Sequence, residues 1–314
     1  MNQGAARRSQ HVQDLTFTAL AGAMLAGQAR VNASLSERLG GGTAHAVITA
    51  AVSFSVGTIL LVVAVLTVGA WRDAFVRGRP RLWECIGGLG GASLVASSAA
   101  AVPAVGVALL AVMIVAGQTS GALVVDRIGF GPGGYRPLTP ARALGAALAV
   151  AGLALAAIGA PRGQLTILLL LAVVGSGFLV AAQQAVNGRL REHTGSALIA
   201  ALISFAGGTL VLLLVWAGMA AAGSVHGLPW PHDPWLYLGG IGGAIYITLS
   251  AATIKRLGVL QFSLASIGGQ LFGGVVLDLT APTGHLRPGA IAAVLLTIIA
   301  VAISAAPANA ERTP

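Results

Sequence analysis

The chain has 314 residues, 56% hydrophobic and only 9% charged, with 44 glycines and a single cysteine, Cys85. A soluble domain carries roughly 25% charged residues, and one cysteine excludes a disulfide framework or a cysteine-rich metal site. The net charge of +9 is spread between apolar runs without interleaved aromatics, which argues for a membrane-topology signal and against a nucleic-acid surface.

Ten apolar segments of spanning or near-spanning length are predicted, at roughly 15–36, 44–70, 82–101, 103–127, 139–160, 164–188, 196–222, 234–253, 257–280 and 288–306. Residues 1–14 and 307–314 read as polar tails, and the connectors leave no room for a separate soluble domain. Ser, Thr and Gly are frequent within the segments, as expected of helices packed closely in lipid. Arg7 and Arg8 before the first run could open a cleaved signal peptide. That run, however, ends in an octet that recurs deep inside the chain, which favours a retained helix.

The octet is Gln28-Ala29-Arg30-Val31-Asn32-Ala33-Ser34-Leu35, and its second copy is Gln183-Gln184-Ala185-Val186-Asn187-Gly188-Arg189-Leu190. Three further blocks recur in the same order. Ser53-Phe54 and Gly57-Thr58 return as Ser204-Phe205 and Gly208-Thr209. Trp83, Gly87-Gly88, Gly90-Gly91 and Ala92 return as Trp235, Gly239-Gly240, Gly242-Gly243 and Ala244. Gly117-Gln118, Gly121 and Asp126 return as Gly269-Gln270, Gly273 and Asp278. The offset drifts only from 155 through 151 to 152, so a five-helix unit is duplicated, at 15–160 and 161–306. Five is odd, so the second unit enters the membrane from the opposite side. The expected fold is therefore an all-α polytopic membrane protein of ten transmembrane helices, arranged as two inverted five-helix repeats.

With the N-terminus in the cytoplasm, fourteen basic residues gather on that side, among them Arg72, Arg77, Arg79, Arg136 and Arg312. The other side has Arg38, Arg162 and Arg287. The asymmetry supports an even number of spans with both ends inside.

Two five-helix halves, each opening with a Q-x-x-V-N-x-x-L octet followed by S-F-x-x-G-T, resemble the YdcZ-like family of bacterial inner-membrane proteins. That family belongs to the drug/metabolite transporter superfamily. The likeness runs from about residue 15 to 306. It implies a ten-helix fold around a central cavity, cytoplasmic termini and an exporter's role, but no particular substrate. Superfamily members that exchange protons for cationic drugs carry a Glu in the first helix; here that helix offers only Asp14 and Glu37, at its two ends.

Gln28 and Asn32, like Gln183 and Asn187, lie four apart on one helix face. Amides in such surroundings are costly unless partnered. They either grip a polar solute or bond helices together, at about 0.6–2 kcal/mol per hydrogen bond. Arg30 lies inside a predicted span, about 200° round the helix from Gln28. It is either an anchor for an anionic group or, as favoured here, a side chain snorkelling to the surface. Gln118 and Gln270 each follow a glycine that opens a G-x-x-x-G, a close-packing motif, and are candidate cavity residues. Ser53 and Ser204 are weaker solute-binding candidates, since such hydroxyls more often bond back into their own helix. Asp126 and Asp278 end the fourth helices and are expected to be solvated. Glu84, near the start of the third helix, shares with these aspartates a minor candidacy for gating or ion coupling.

His11, His45, His193, His226, His232 and His285 fall near segment ends without metal-ligand spacing. No nucleophile has an evident activating partner, so neither metal, cofactor nor enzymatic activity is expected. The partners expected are the lipid bilayer and a small-molecule solute, with a coupling proton or ion as a further candidate. The reading is a secondary transporter, an exporter of small polar or amphipathic metabolites or drugs by alternating access across the bacterial inner membrane. A non-transporting scaffold or assembly partner is the alternative. A sealed apolar cavity, with the paired amides bonded only to each other, would favour it.

Overall fold

In lipid a backbone must satisfy its own polar groups, and the helix does so within one segment. The computed structural model describes residues 3–72, 74, 80–135, 137–158, 164–225, 227–280 and 288–305. Among these are nine α-helices and no strand. They are α1 (Gln3–Arg38), α2 (Gly42–Val68), α3 (Leu82–Cys85), α4 (Leu89–Arg127), α5 (Pro140–Ile158), α6 (Gln164–Thr194), α7 (Ala197–Ala221), α8 (Gly239–Thr280) and α9 (Pro288–Ala305). Single 3-10 turns at Ile86–Gly88 and Pro234–Tyr237 lead into α4 and α8.

The N-terminal residues depart from expectation. Residues 3–14, read as a tail, continue α1. They contain neither proline nor an internal cap to stop it, and at the end of this stretch the Asp14 carboxylate receives Arg256 at 2.9 Å. Arg77, Arg79, Arg136, Arg162, Arg287, Arg312, His226, His285 and the expected tail 307–314 lie outside the described residues.

α4 is too long for one pass. Thirty-nine residues would run about 58 Å, against a hydrocarbon core of about 30 Å. The helix breaks at Gly106, whose φ of 78° and ψ of 170° place it outside the helical region and suit a residue without Cβ. Pro103, just before it, removes a backbone donor. Contacts with α6 show what the break does. Gly87, Gly91 and Ser97 meet Asn187, Gln183 and Ser176, an antiparallel register. Gly117 and Gly121 meet Val174 and Phe178, a parallel one. The chain therefore folds back between the two pieces.

The 42-residue α8 behaves alike against α1. Gly239 and Gly243 meet Asn32 and Gln28 in antiparallel order, whereas Gly269 and Gly273 meet Ala19 and Ala23 in parallel order.

The closest pairings are α1 with α8, α4 with α6, α5 with α9 and α2 with α7. Each joins the first half of the chain to the second, so the two halves interlock. Gly117 packs on the Val174 carbonyl and Gly269 on that of Ala19, the close approach expected of the G-x-x-x-G motifs.

The periphery is apolar: Ile59, Leu66, Leu214 and Phe272 are all more than half exposed, while Gln118, Gln184, Asn187, Ser204 and Ser250 are wholly buried. That is the distribution of a protein whose solvent is lipid. Among the described residues five helical stretches are long and apolar enough to cross a membrane: Gly42–Val68, Leu82–Arg127, Ile167–Thr194, Ala197–Ala221 and Pro234–Thr253.

Candidate functional site

The repeated blocks meet one another across the halves. A Cβ on Gly239 would collide with Asn32 Oδ1, and one on Gly243 would stand 3.0 Å from Gln28 Oε1. In the other half, a Cβ on Gly91 would stand 3.2 Å from Gln183 Oε1, and one on Gly87 would stand 3.7 Å from Asn187 Oδ1. Each octet's amides thus occupy room left by the glycines of the opposite half. The second blocks do the same. Gly88 lies on the Ser204 carbonyl and Gly240 on that of Ser53. The Phe54 and Phe205 rings stack at 4.7 Å, each over the other helix's glycine, Gly208 or Gly57. Beside them the Thr58 and Thr209 hydroxyls are 2.8 Å apart.

All four octet amides are buried, but they are engaged differently. Asn32 Nδ2 donates to the Ser53 hydroxyl at 3.3 Å. In the second half it is Gln183, not Asn187, whose Nε2 donates to the equivalent hydroxyl, Ser204, at 3.4 Å. The Gly91 N–H donates to Gln183 Oε1. Gln28 Oε1 and both amide atoms of Asn187 find no partner. An unpartnered buried group costs about 1–3 kcal/mol. The two serine hydroxyls accept between helices, from amides of the octets.

Two cavities, each of about 40 Å³, lie beside these amides. One is walled by Leu25, Ala29, Leu94 and Ile114, with Gln28, Asn32 and Gln270 as its amides and Ser98 as its hydroxyl. The other lies against Phe54, Phe205, Gln183 and Tyr246. They share Leu25, Gln28, Leu94 and Val95. No charged side chain is among the described residues lining either one. Gln270 Nε2 also donates to Ser266 at 3.0 Å. Gln118 is fully buried with both amide atoms unpartnered, yet lines neither cavity. Arg30 is half-buried and lines neither cavity, in keeping with its divergence from the Gln28 face.

Asp126 and Asp278, expected in solvent, are buried. Asp278 accepts the N–H groups of Val107 and Ala108 at 3.1 and 2.8 Å. It thereby satisfies donors that the helix restarting after Gly106 cannot satisfy itself. Glu84 is buried as well, accepting from the Arg81 N–H at 2.8 Å and lying 3.0 Å from His193 Nδ1. This carboxylate closes the start of α3 as an N-terminal cap. Among the described residues no group of three or more His, Cys, Asp or Glu could hold a metal ion.

One polar cluster escaped the sequence reading. Gln184 Nε2 donates to the Tyr246 hydroxyl at 2.6 Å, and the Ser263 hydroxyl donates to Gln184 Oε1 at 2.9 Å. All three are buried, with Phe262 5.4 Å from the Tyr246 ring. The repeat concealed them because it draws attention to shared positions, and these are unshared: by the same offsets their counterparts are Ala29, Leu94, Ala111 and Leu110. A tyrosine within a spanning segment is the signal that could have found them.

No curated protein matches the chain. Residues 15–155 and 167–303 each match the family model described as "Putative inner membrane exporter, YdcZ". The boundary between those matches falls where the octet repeat divides the chain, and together they cover most of its length; the chain belongs to the YdcZ family of inner membrane proteins.

Proposed function

We propose that this protein is a secondary transporter that exports small polar or amphipathic solutes across the bacterial inner membrane by alternating access. In this reading residues 15–160 and 161–306 are five-span repeats of opposite orientation, both termini are cytoplasmic, and there are ten spans. Counting each folded-back helix as two passes supports that number. Asp278, near the C-terminal end of α8, holds the N-terminal end of the second piece of α4. That contact supports equivalent segments of the two halves running oppositely, as inversion requires.

The observation that carries the reading is the reciprocal packing of the repeated blocks. Each octet faces the opposite half's glycines, so each half can adopt the arrangement the other holds. The unequal amide bonding of the two octets supports two exchangeable states. Asn32 and Gln183 hold the serine hydroxyls, while Gln28 and Asn187 have unpartnered atoms. The amides are not bonded only to each other, which weighs against a sealed scaffold. Gln28, Asn32, Gln183, Asn187, Gln118 and Gln270 line or gate the route, Ser53 and Ser204 hold the amides in place, and Arg30 is the least favoured contact.

Reconstituted in proteoliposomes and screened for solute flux, the protein with Asn32→Ala and Asn187→Ala together is expected to fold but to lose flux. Unchanged flux would reject the assignment.

A further inference from the structure

The two ends of the seam are fastened by side chains at one repeat position. Arg38 stands six residues past Asn32, and His193 six past Asn187. Each reaches across to an acid where the other half leads into its folded-back helix. Arg38 Nη1 donates to Asp233, which precedes the turn Pro234–Tyr237. His193 Nδ1 lies 3.0 Å from Glu84, in α3. In the inverted arrangement proposed above, the first pair sits at the outer end of the bundle and the second at the cytoplasmic end.

The pairs differ in what their charge depends on. A guanidinium keeps its proton at every pH a protein meets, whereas histidine gains and loses its charge between about pH 5 and 8. Their surroundings differ too: the Asp233 side chain is 45% exposed and that of Glu84 only 1%. An exposed pair contributes little and is screened by salt, but a charge placed beside a buried carboxylate is felt strongly. His193 itself is 38% exposed, so it can exchange protons with water. Of the elements packed against α6, α7 and the turn Ile86–Gly88 carry no titratable side chain. α3 adds Cys85, whose thiol donates to the Arg81 carbonyl at 3.8 Å. At that end α8 has Arg256, held by Asp14, and α4 has buried Asp126 and Arg127, the latter bonded to Tyr135. On α6 itself Arg189 lies over the Trp83 ring, Arg191 donates to the Ala252 carbonyl, and Glu192 is the neighbour in sequence.

We infer that Glu84 and His193 form a pH-operated latch: protonation of His193 ties the end of α6 to α3 and holds the cytoplasmic opening shut, while Arg38 and Asp233 clasp the outer end at any pH in that range. The charge-assisted bond is complete below the range in which histidine titrates and is released as the pH rises through it. What the opening serves rests on the transport reading above; the pairing and its response to pH do not.

Val186, buried in α6 against Gly87, can report the opening. In a Cys85→Ser background, Val186→Cys is treated with a water-soluble maleimide in the purified full chain, at about pH 5.5 and 8. Each rate is divided by that of the same reporter carrying His193→Arg, so the reagent's own pH dependence cancels. The ratio is expected to be about one at the lower pH and on the order of tenfold at the higher, where His193 has lost its charge and the arginine has not. Should that variant fail to fold, His193→Gln as the reference, neutral throughout, is expected to give a ratio of about one tenth rising to about one. A ratio equal at the two pH values, or one that falls as the pH rises, would overturn the latch. Transport is judged separately, by flux through the protein with Asn32→Ala and Asn187→Ala: its failure would leave a pH-dependent ratio standing, and a constant ratio would leave the flux result standing.

Discussion

The seam between the halves and the interior beside it obey opposite rules. At the seam the same residues appear twice: Gly88 against Ser204 answers Gly240 against Ser53, and Phe54 stacks on Phe205. In the interior beside it the equivalent residues differ: Gln184 and Tyr246 bond each other in the second half, where the first has Ala29 and Leu94. Duplication was retained where each half must fit the other's backbone. It was abandoned where one half carries a bonded polar cluster and the other apolar side chains.

Substitutions at the seam should therefore be large in effect and equal in the two halves. A Cβ at Gly88 or Gly240 meets main chain, the Ser204 or Ser53 carbonyl, which cannot swing aside as a flexible side chain can. Gly88→Ala and Gly240→Ala are each expected to cost about 1–3 kcal/mol or more, read as a lowered unfolding midpoint in detergent. Gly218, with nothing within 4 Å, supplies the contrast: Gly218→Ala should gain about 0.5–1 kcal/mol from helix propensity alone. Unequal losses at Gly88 and Gly240 would break the symmetry of the seam.

Substitutions in the interior beside the seam should be unequal. Tyr246→Phe leaves the buried Gln184 Nε2 without its acceptor, at about 1–3 kcal/mol. Leu94→Phe, at the equivalent place, strands no polar group and has adjoining space to enter, so its effect on the same unfolding midpoint should be the lesser. Equal effects would mean that the Gln184 cluster adds nothing over its apolar counterparts.

Much of this architecture was legible in the sequence because hydropathy and repetition are local signals. Apolar runs marked the helices, and the drifting offset marked equivalent residues. Equivalence does not reveal contact, however. Nothing in the octet states that Asn32 faces Gly239 rather than a residue of its own half; that depends on how α1 settles along α8. Burial of Asp126 and Asp278 was missed for a related reason. A carboxylate at the end of an apolar run reads as solvated, unless a broken helix elsewhere presents N–H groups to it. The break at Gly106 supplies them for Asp278, through residues 171 and 170 positions distant in the chain. The Gln184 cluster lay hidden because its first-half counterparts are apolar.

The orientation of the repeats can be measured directly through the two glutamates that follow the octets. With Cys85→Ser as background, Glu37→Cys and Glu192→Cys are separately exposed to a membrane-impermeant thiol reagent, in intact cells and in inverted vesicles. Glu37→Cys is expected to react from the outside and Glu192→Cys from the cytoplasmic side. Labelling of both from the same side would mean that the halves point the same way, and would contradict the account.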